Sequence, residues 1–389
     1  MRRNDCGLLG VAMLAISTAG CGSEACEQAP PLTLATFNAG LAAADVEYAP
    51  ERAEPVAEAL AAQRVDVLCV QEFWSAADWD RLIEAAGTNL PNVVRRDPLP
   101  QCASGCLAGE TDPVATCAAE PCAGLTGVEY LGCADSHCGA QQVLSGSCIG
   151  CLLGEATADG GATETELAER CAIPPDQSAD AYLFDCSYDT GILTSGAVVH
   201  QESRPLDSFM VLSTVDHARI ATEAGEVDVF CAHLQSEMGF PYQGDFGSYE
   251  AEQAHQIDQL LAFIGEKDDG SRPVVLMGDL NTGPAIPEAG VVGEWPHHYQ
   301  RFVTAGFANP HAESGDASCS YCPENTFQSD SADPRLLDHI LLKNATTGAS
   351  CTRFMTETTT IESKDGDLVE THYSDHFGLQ ATLESSCGE

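Results

Sequence analysis

Several polar residues of this 389-residue chain stand where apolar runs end, and their types suit cation binding and proton transfer. Asn38 closes the stretch from Leu32, Glu72 follows the run Val65–Val70, and His233 follows Val227–Ala232. Asp279 and Asn281 follow Pro273–Met277, Asp338 lies at the head of another apolar run, and the pair Asp375–His376 precedes a last one. The oxygens of Glu72 and Asn38 are hard donors of the kind Mg²⁺ takes. Two histidines near neutral pH can hold opposite protonation states, one to accept a proton and one to give it. Singly, each residue has a plain explanation: a turn cap, a loop start, a satisfied polar group at a strand end. Their joint occurrence in one order carries the argument.

The elements that must position them are legible as patterns. Leu32–Asn38 alternates as a strand, Glu51–Ala62 has helical composition, Val65–Val70 reads as a buried strand, and Trp79–Ala86 reads as a helix. Residues 191–194 and 197–200 read as strands, as do Val227–Ala232, Pro273–Met277, Leu336–Leu342 and Phe377–Leu383. Between them Glu250–Gly265 places Ala254, Ile257, Leu260, Leu261 and Ile264 at helical spacing. Chemistry at strand ends is what α/β folds provide, and this strand count predicts two packed sheets flanked by helices.

Residues 101–186 interrupt that pattern. They are rich in Cys, Gly and Ala and show little periodicity, and they carry ten of the chain's nineteen cysteines: Cys102, Cys106, Cys117, Cys122, Cys133, Cys138, Cys148, Cys151, Cys171 and Cys186. A loop this long needs its own constraint, so the segment is expected to be an insertion stapled by disulfides. Zinc is the rival, because Cys148/Cys151 and Cys319/Cys322 have ligand-like spacing. The N-terminus favours disulfides. Arg2 and Arg3, a short apolar run from Leu8 to Ile16, and small residues before Cys21 have the form of an export signal over residues 1–21. Its Thr-Ala-Gly-Cys ending also resembles a bacterial lipobox, so either secretion or a lipid anchor in the cell envelope is expected. Residues 22–31 then read as a linker and 32–386 as the catalytic domain. Without Cys6 and Cys21 seventeen cysteines remain, so at least one is unpaired in a monomer. Cys69 and Cys231, in apolar strands, are the expected free thiols.

Charge narrows the partners. Seventeen Lys+Arg against 59 Asp+Glu give a formal net charge of −42. Duplex binding needs clustered Lys and Arg to displace counterions, and no basic cluster follows the N-terminus, so a long nucleic acid is disfavoured.

In order, Thr36–Asn38, Val70–Glu72, Ala232–Leu234, Gly278–Asn281, Leu337–Ile340 and Ser374–His376 resemble the full motif series of the endonuclease/exonuclease/phosphatase superfamily. The resemblance runs from Leu32 to about Leu383, apart from the Cys-rich insertion. It implies a four-layered α/β sandwich, two central mixed β-sheets flanked by helices. It also implies a Mg²⁺-dependent phosphodiesterase (Mn²⁺ as substitute) with Asn38, Glu72 and Asp375 at the metal. His376 is then the general base oriented by Asp338, His233 the general acid, and Asp279 and Asn281 the contacts to phosphate and nucleophile. No residue stands out as a covalent nucleophile, so direct in-line attack by water is expected.

A narrower resemblance concerns substrate. His233-Leu-Gln-Ser-Glu237, followed by a helix with Gln253, Gln256 and Leu260, is similar to bacterial neutral sphingomyelinases, as is Cys322-Pro-Glu-Asn-Thr326 ahead of Asp338. That implies a phospholipid headgroup substrate, which can bring the chain to a membrane surface; a monomer is expected separately. The chain departs from the pattern twice. No exposed aromatic hairpin is evident, and the superfamily's Leu-Ser-Arg stands here as Leu193-Thr-Ser-Gly196, without the arginine. A deoxyribonuclease-like or other phosphoesterase activity is one alternative, and a non-catalytic surface protein binding through its Cys-rich insertion is another.

Overall fold

A computed structural model describes residues 30–42, 46–98, 105–158, 160–173, 188–209, 211–238, 242, 244–315, 317–329, 331–345 and 350–384. The export signal, the expected lipidation site at Cys21, Cys102 and Cys186 lie outside the described residues.

In chain order the elements begin β1 (Leu32–Asn38), α1 (Ala49–Ala61), β2 (Val67–Gln71), α2 (Ala76–Ala86) and β3 (Asn92–Val94). Five short helices follow: α3 (Asp112–Ala118), α4 (Gly127–Cys138), α5 (Ala140–Val143), α6 (Gly146–Ala158) and α7 (Glu164–Arg170). Then come β4 (Gly191–Thr194), β5 (Ala197–Pro205), β6 (Thr214–Thr222), β7 (Gly225–His233), α8 (Tyr249–Lys267), β8 (Val274–Asp279) and α9 (Pro296–Thr304). The chain closes with β9 (Asp338–Lys343), β10 (Ser350–Phe354), β11 (Thr358–Glu362), β12 (Leu368–His372) and β13 (Gly378–Leu383).

The strands form a six-stranded sheet, β10-β13-β1-β2-β4-β3, and a five-stranded sheet, β5-β6-β7-β8-β9, with β11 and β12 as a separate ribbon. Both sheets are mixed: β1–β2 and β7–β8 are parallel, and their other neighbours antiparallel. Alternation along each strand explains the layering. Leu34, Val67 and Cys69 of one sheet and Val229, Cys231, Val275, Met277 and Ile340 of the other fill the space between sheets. Residues of opposite parity point outward. Phe37, Leu68 and Val70 pack with Val56 and Leu60 of α1 and Trp79 and Leu82 of α2. Phe230, Ala232, Leu276 and Leu341 pack with Ile257, Leu260 and Phe263 of α8 and Phe302 of α9. The result is helix, sheet, sheet, helix.

The Cys-rich segment is more ordered than its sequence suggests. Its five helices enclose a core of their own around Val114, Tyr130, Leu144, Ile149, Leu152 and Leu167. Four disulfides hold it: Cys106–Cys148, Cys117–Cys138, Cys122–Cys133 and Cys151–Cys171. The weak periodicity has a physical cause. Helices of four to thirteen residues make only about one to four turns each around a small core, and cross-links supply the constraint a long apolar stripe would otherwise give. Cys148 and Cys151 take different disulfide partners, and Cys319 pairs with Cys322, so these thiols are not zinc ligands.

One expectation is overturned. Cys69 and Cys231 are not free thiols but a disulfide between β2 and β7 that crosses the space between the sheets. Their strands lie in different sheets, and both side chains face the shared core, so packing brings together two cysteines 162 residues apart. Cys351 is the unpaired, buried cysteine among the described residues, and burial pushes its thiol up to about 12. Replacing both Cys69 and Cys231 by Ala is expected to cost about 2–5 kcal/mol. Denaturant unfolding measures this, and an unchanged midpoint would count against the cross-link.

Candidate active site

Strand register assembles the site. Asn38 at the end of β1 pairs with Gln71 at the end of β2, which sets Glu72 one residue further on. In the second sheet His233 pairs with Asp279, and Asp279 with Asp338, so three polar side chains form one row across β7, β8 and β9. The close approach of β8 to β7 requires Gly278, whose φ is +138° and where a Cβ would stand 1.8 Å from the Ala232 carbonyl oxygen. Two of the site residues, Glu72 (φ 60°) and Asn281 (φ 46°), adopt the left-handed region that L-residues enter at a cost. The turn at Asn281 is held by its own N–H donating to Asp279 Oδ1 (2.9 Å) and its side chain donating to the Leu234 carbonyl (2.8 Å).

The two histidines are built alike. His233 Nδ1 lies 2.9 Å from Asp189 Oδ1, and His376 Nδ1 lies 2.8 Å from Asp338 Oδ2. All four residues are buried. Between the pairs stands Asp279, whose Oδ2 is 3.9 Å from His233 Nε2 and 3.8 Å from His376 Nδ1. Burial works against an imidazolium, but the charge and hydrogen bond of Asp189, with Asp279 and Glu72 nearby, raise His233 to about 10. His376 is likewise raised against its burial, by Asp338, Asp375 and Asp279. Burial also raises Asp338, which shares its proton equilibrium with His376.

On the other side of Asp279 lies an oxygen-rich group. Asn38 Nδ2 donates to Glu72 Oε1 (2.9 Å) and Asp279 Oδ2 (3.0 Å), while its Oδ1 accepts from Gly40 N–H (3.0 Å). Burial, with the charge of Asp375 adding to it, pushes Glu72 up to about 7 against the opposing pull of His233, Asn38 and His376. A buried carboxylate beside a second one, with oxygen donors around it, is chemically suited to a hard divalent cation. Asp279, Asp338 and His376 also bring ligand atoms within 4.8 Å of one another, but there the imidazole and the Asp338 carboxylate are bonded to each other.

All eight residues expected from the sequence converge here: Asn38, Glu72, His233, Asp279, Asn281, Asp338, Asp375 and His376. Glu72, His233, Asp279, Asn281, Asp375 and His376 line a cleft of about 370 Å³, with Asn38 and Asp338 buried behind them. Four contributors were missed. Asp189 stands just ahead of the apolar residues of β4 and resembled a loop start; a carboxylate two residues before a strand was its one signal. Arg52 sits on α1, where an arginine in an Ala/Glu-rich helix reads as solvated. It is fully buried and donates to the carbonyls of Ala39 (3.0 Å), Gly40 and Tyr373 (2.6 Å), tying the turn after Asn38 to the turn before Asp375. Ser320 Oγ accepts from the N–H groups of Leu337 and Asp338 (both 3.0 Å), and the ring of Tyr321 packs against His376 at 5.1 Å.

Against known proteins, the sequence profile of the Endonuclease/Exonuclease/phosphatase family matches residues 35–376. The chain belongs to this family, whose members are generally phosphoesterase hydrolases. No curated protein sequence matches it significantly. Among solved structures, sphingomyelinase C from Streptomyces griseocarneus superposes with a TM-score of 0.54 at 18% identity, covering 91% of this chain and 99% of that one. A mutant beta toxin from Staphylococcus aureus with bound magnesium ions gives 0.55 at 12% identity, with 91% and 99% covered. An endonuclease/exonuclease/phosphatase from Beutenbergia cavernae gives 0.50 at 13%, with 92% and 72% covered. These likenesses establish the shared fold, the four-layered sandwich with two mixed sheets.

Proposed function

We propose that this protein is an exported, metal-dependent phosphodiesterase that cleaves a phospholipid headgroup diester by in-line attack of water, in the manner of a sphingomyelinase. The observation that carries the reading is the pair of histidine–aspartate dyads on either side of Asp279, beside the Glu72–Asp375 carboxylates. Glu72, with Asp375 and Asn38 around it, would hold Mg²⁺, or Mn²⁺ in its place. The ion would draw charge from a phosphoryl oxygen and stabilise the leaving oxygen.

The protein's own groups do the rest. His376 takes a proton from water as the new P–O bond forms, and Asp338 fixes its ring and steadies the imidazolium. His233 gives its proton to the ester oxygen as the old P–O bond breaks. Asp189 orients that ring and keeps it protonated at neutral pH. Asp279 and Asn281 contact the phosphate and the nucleophile as charge develops.

Three things favour a phospholipid over a nucleic acid: the net charge of −42, the His233–Glu237 motif, and the sphingomyelinase C among the structures of like fold. The disulfides fit an exported protein, and among the described residues no helix is long and apolar enough to cross a membrane. The β11–β12 ribbon carries no aromatic side chain and exposes Leu368, so attachment to a membrane surface would differ from entry through an aromatic hairpin. The test is hydrolysis of choline phospholipids, duplex DNA and inositol phosphates with and without Mg²⁺. Cleavage of sphingomyelin or phosphatidylcholine only with the metal is expected. Preference for DNA would move the protein to the nuclease alternative, and no cleavage at all would sink both.

A further inference from the structure

An anionic diester entering this cleft meets a hostile field. Besides Glu72, Asp279 and Asp375, the carboxylates of Glu237 and Glu294 line it. Among the described residues a single Lys or Arg faces them, Arg335. The end of β4 and the turn after it, Leu193-Thr-Ser-Gly196, carry no cationic side chain.

Arg335 is held in place on three sides. Its N–H donates to the Tyr321 carbonyl (2.8 Å), and its carbonyl accepts from the N–H groups of Ser320 (2.9 Å) and Tyr321 (3.0 Å). The preceding Pro334 carbonyl accepts from Val292 N–H (2.8 Å). This is the segment in which Ser320 holds Asp338 and Tyr321 packs on His376, so the arginine is anchored to the wall that carries the base. Its side chain makes one ion pair, Nε to Glu294 Oε2 at 3.1 Å. Glu294 is itself fixed, its carbonyl accepting from Thr282 Oγ1 (2.9 Å) and Gly283 N–H (2.8 Å), next to the Asn281 turn. The terminal amino groups Nη1 and Nη2 make no hydrogen bond among the described residues. The guanidinium thus stands beside the Glu294 carboxylate as an ion pair without a hydrogen bond from Nε, and its Nη donors are left for a ligand.

We infer that Arg335 is the substrate's phosphate anchor. Resting on the phosphodiesterase reading above, its Nη donors bind a non-bridging oxygen of the diester in a cleft otherwise lined by carboxylates. A guanidinium suits this because it offers donors in a planar fork matched to phosphate and is always charged. Its contact exists in the ground state as well as the transition state, so its loss falls on KM more than on kcat.

The experiment compares wild type with Arg335→Met and Arg335→Lys by steady-state kinetics on bis(4-nitrophenyl) phosphate and by calorimetric titration with inorganic phosphate. Charge-assisted hydrogen bonds of this kind lead us to expect KM and the phosphate dissociation constant to rise about 10–100-fold in Arg335→Met, with kcat within a few-fold. Lys should restore part of the loss, because it keeps the charge without the fork. Unchanged phosphate affinity overturns the inference, and so does a fall in kcat at constant KM, which would mark Arg335 as a support for the Ser320–Tyr321 segment. A phosphate affinity that depends on Arg335 while KM for the diester does not would also overturn it. The titration needs no turnover, so a wild type inert toward every diester would end the phosphodiesterase reading while Arg335 is still tested.

Discussion

His376→Ala is expected to lower turnover about 10²–10⁴-fold, the usual effect of removing one positioned acid or base. The imidazole is buried, hydrogen-bonded through Nδ1 to Asp338, and raised by its carboxylate neighbours, so it is a strong base once deprotonated and the acid limb of the pH–rate profile should lie above the ordinary histidine range. His233→Ala should show a different pattern, because its proton goes to the leaving oxygen. On a natural alcohol leaving group the loss should be of the same order as for His376. On a nitrophenyl diester, whose leaving group needs no proton, it should be far smaller. The pH profile adds a second readout. His233 gives its proton only while protonated, so the rate should fall as pH rises through its raised value of about 10, and that alkaline limb should vanish in His233→Ala. Kinetics on the two leaving groups, with melting temperatures to confirm folding, measures all of this. Equal losses on both would remove His233 from the acid role, and rates per folded molecule near wild type for both variants would reduce the histidines to structural fillers.

Glu72→Gln should be nearly as severe. The substitution keeps the shape and the hydrogen bond to Asn38 but removes the ligand charge. Losing even a supporting partner of a metal ligand costs about 10–100-fold, so a ligand itself should cost roughly 10²-fold or more in activity at low Mg²⁺, partly recovered at high Mg²⁺. Mn²⁺ binding followed by electron paramagnetic resonance gives a readout independent of turnover and should weaken in parallel. An all-oxygen group fits these ions and fits zinc poorly. A variant fully active at low Mg²⁺ would show that the cation, if required, is held elsewhere. The charge removed also bears on stability. Glu72 is pushed up to about 7 by burial and by Asp375. In the metal-free protein the folded state is therefore favoured at low pH and loses stability as pH rises from the ordinary carboxylate range towards 7. Glu72→Gln should flatten that loss.

Much of this was legible in one dimension. The strands that carry the site were legible as apolar runs or alternation, with β2 and β8 buried along their length and β1 and β7 buried towards the site, and the polar residue ending each run has a type that packing alone does not call for. The order of the motifs then named the superfamily, and with it the two sheets. What the sequence concealed was polar or short. Strand β6 was overlooked because its buried positions include Asp216 and His217, which resemble strand residues only once their partners are present. Asp216 takes hydrogen bonds from Thr190 and Ser203, and His217 bonds to Asp228 at 2.8 Å. The same logic hid Asp189 and Arg52, whose burial is tolerated only because His233 and a set of backbone carbonyls meet them in space.

The sequence by itself determined the chemistry on offer: which strands end in carboxylate, amide or imidazole, and a charge that disfavours polyanions. Tertiary structure alone decided how those groups are used. Sheet packing brought Cys69 to Cys231 and turned two expected thiols into a cross-link. Register aligned His233, Asp279 and Asp338 in one row, and remote loops supplied Asp189, Ser320 and Arg335. The physical reason is that periodicity records which face of an element is buried, a local property of the chain. The partner that satisfies a buried charge is chosen by folding, across separations such as the 38 residues from Asp338 to His376 and the 241 from Asn38 to Asp279.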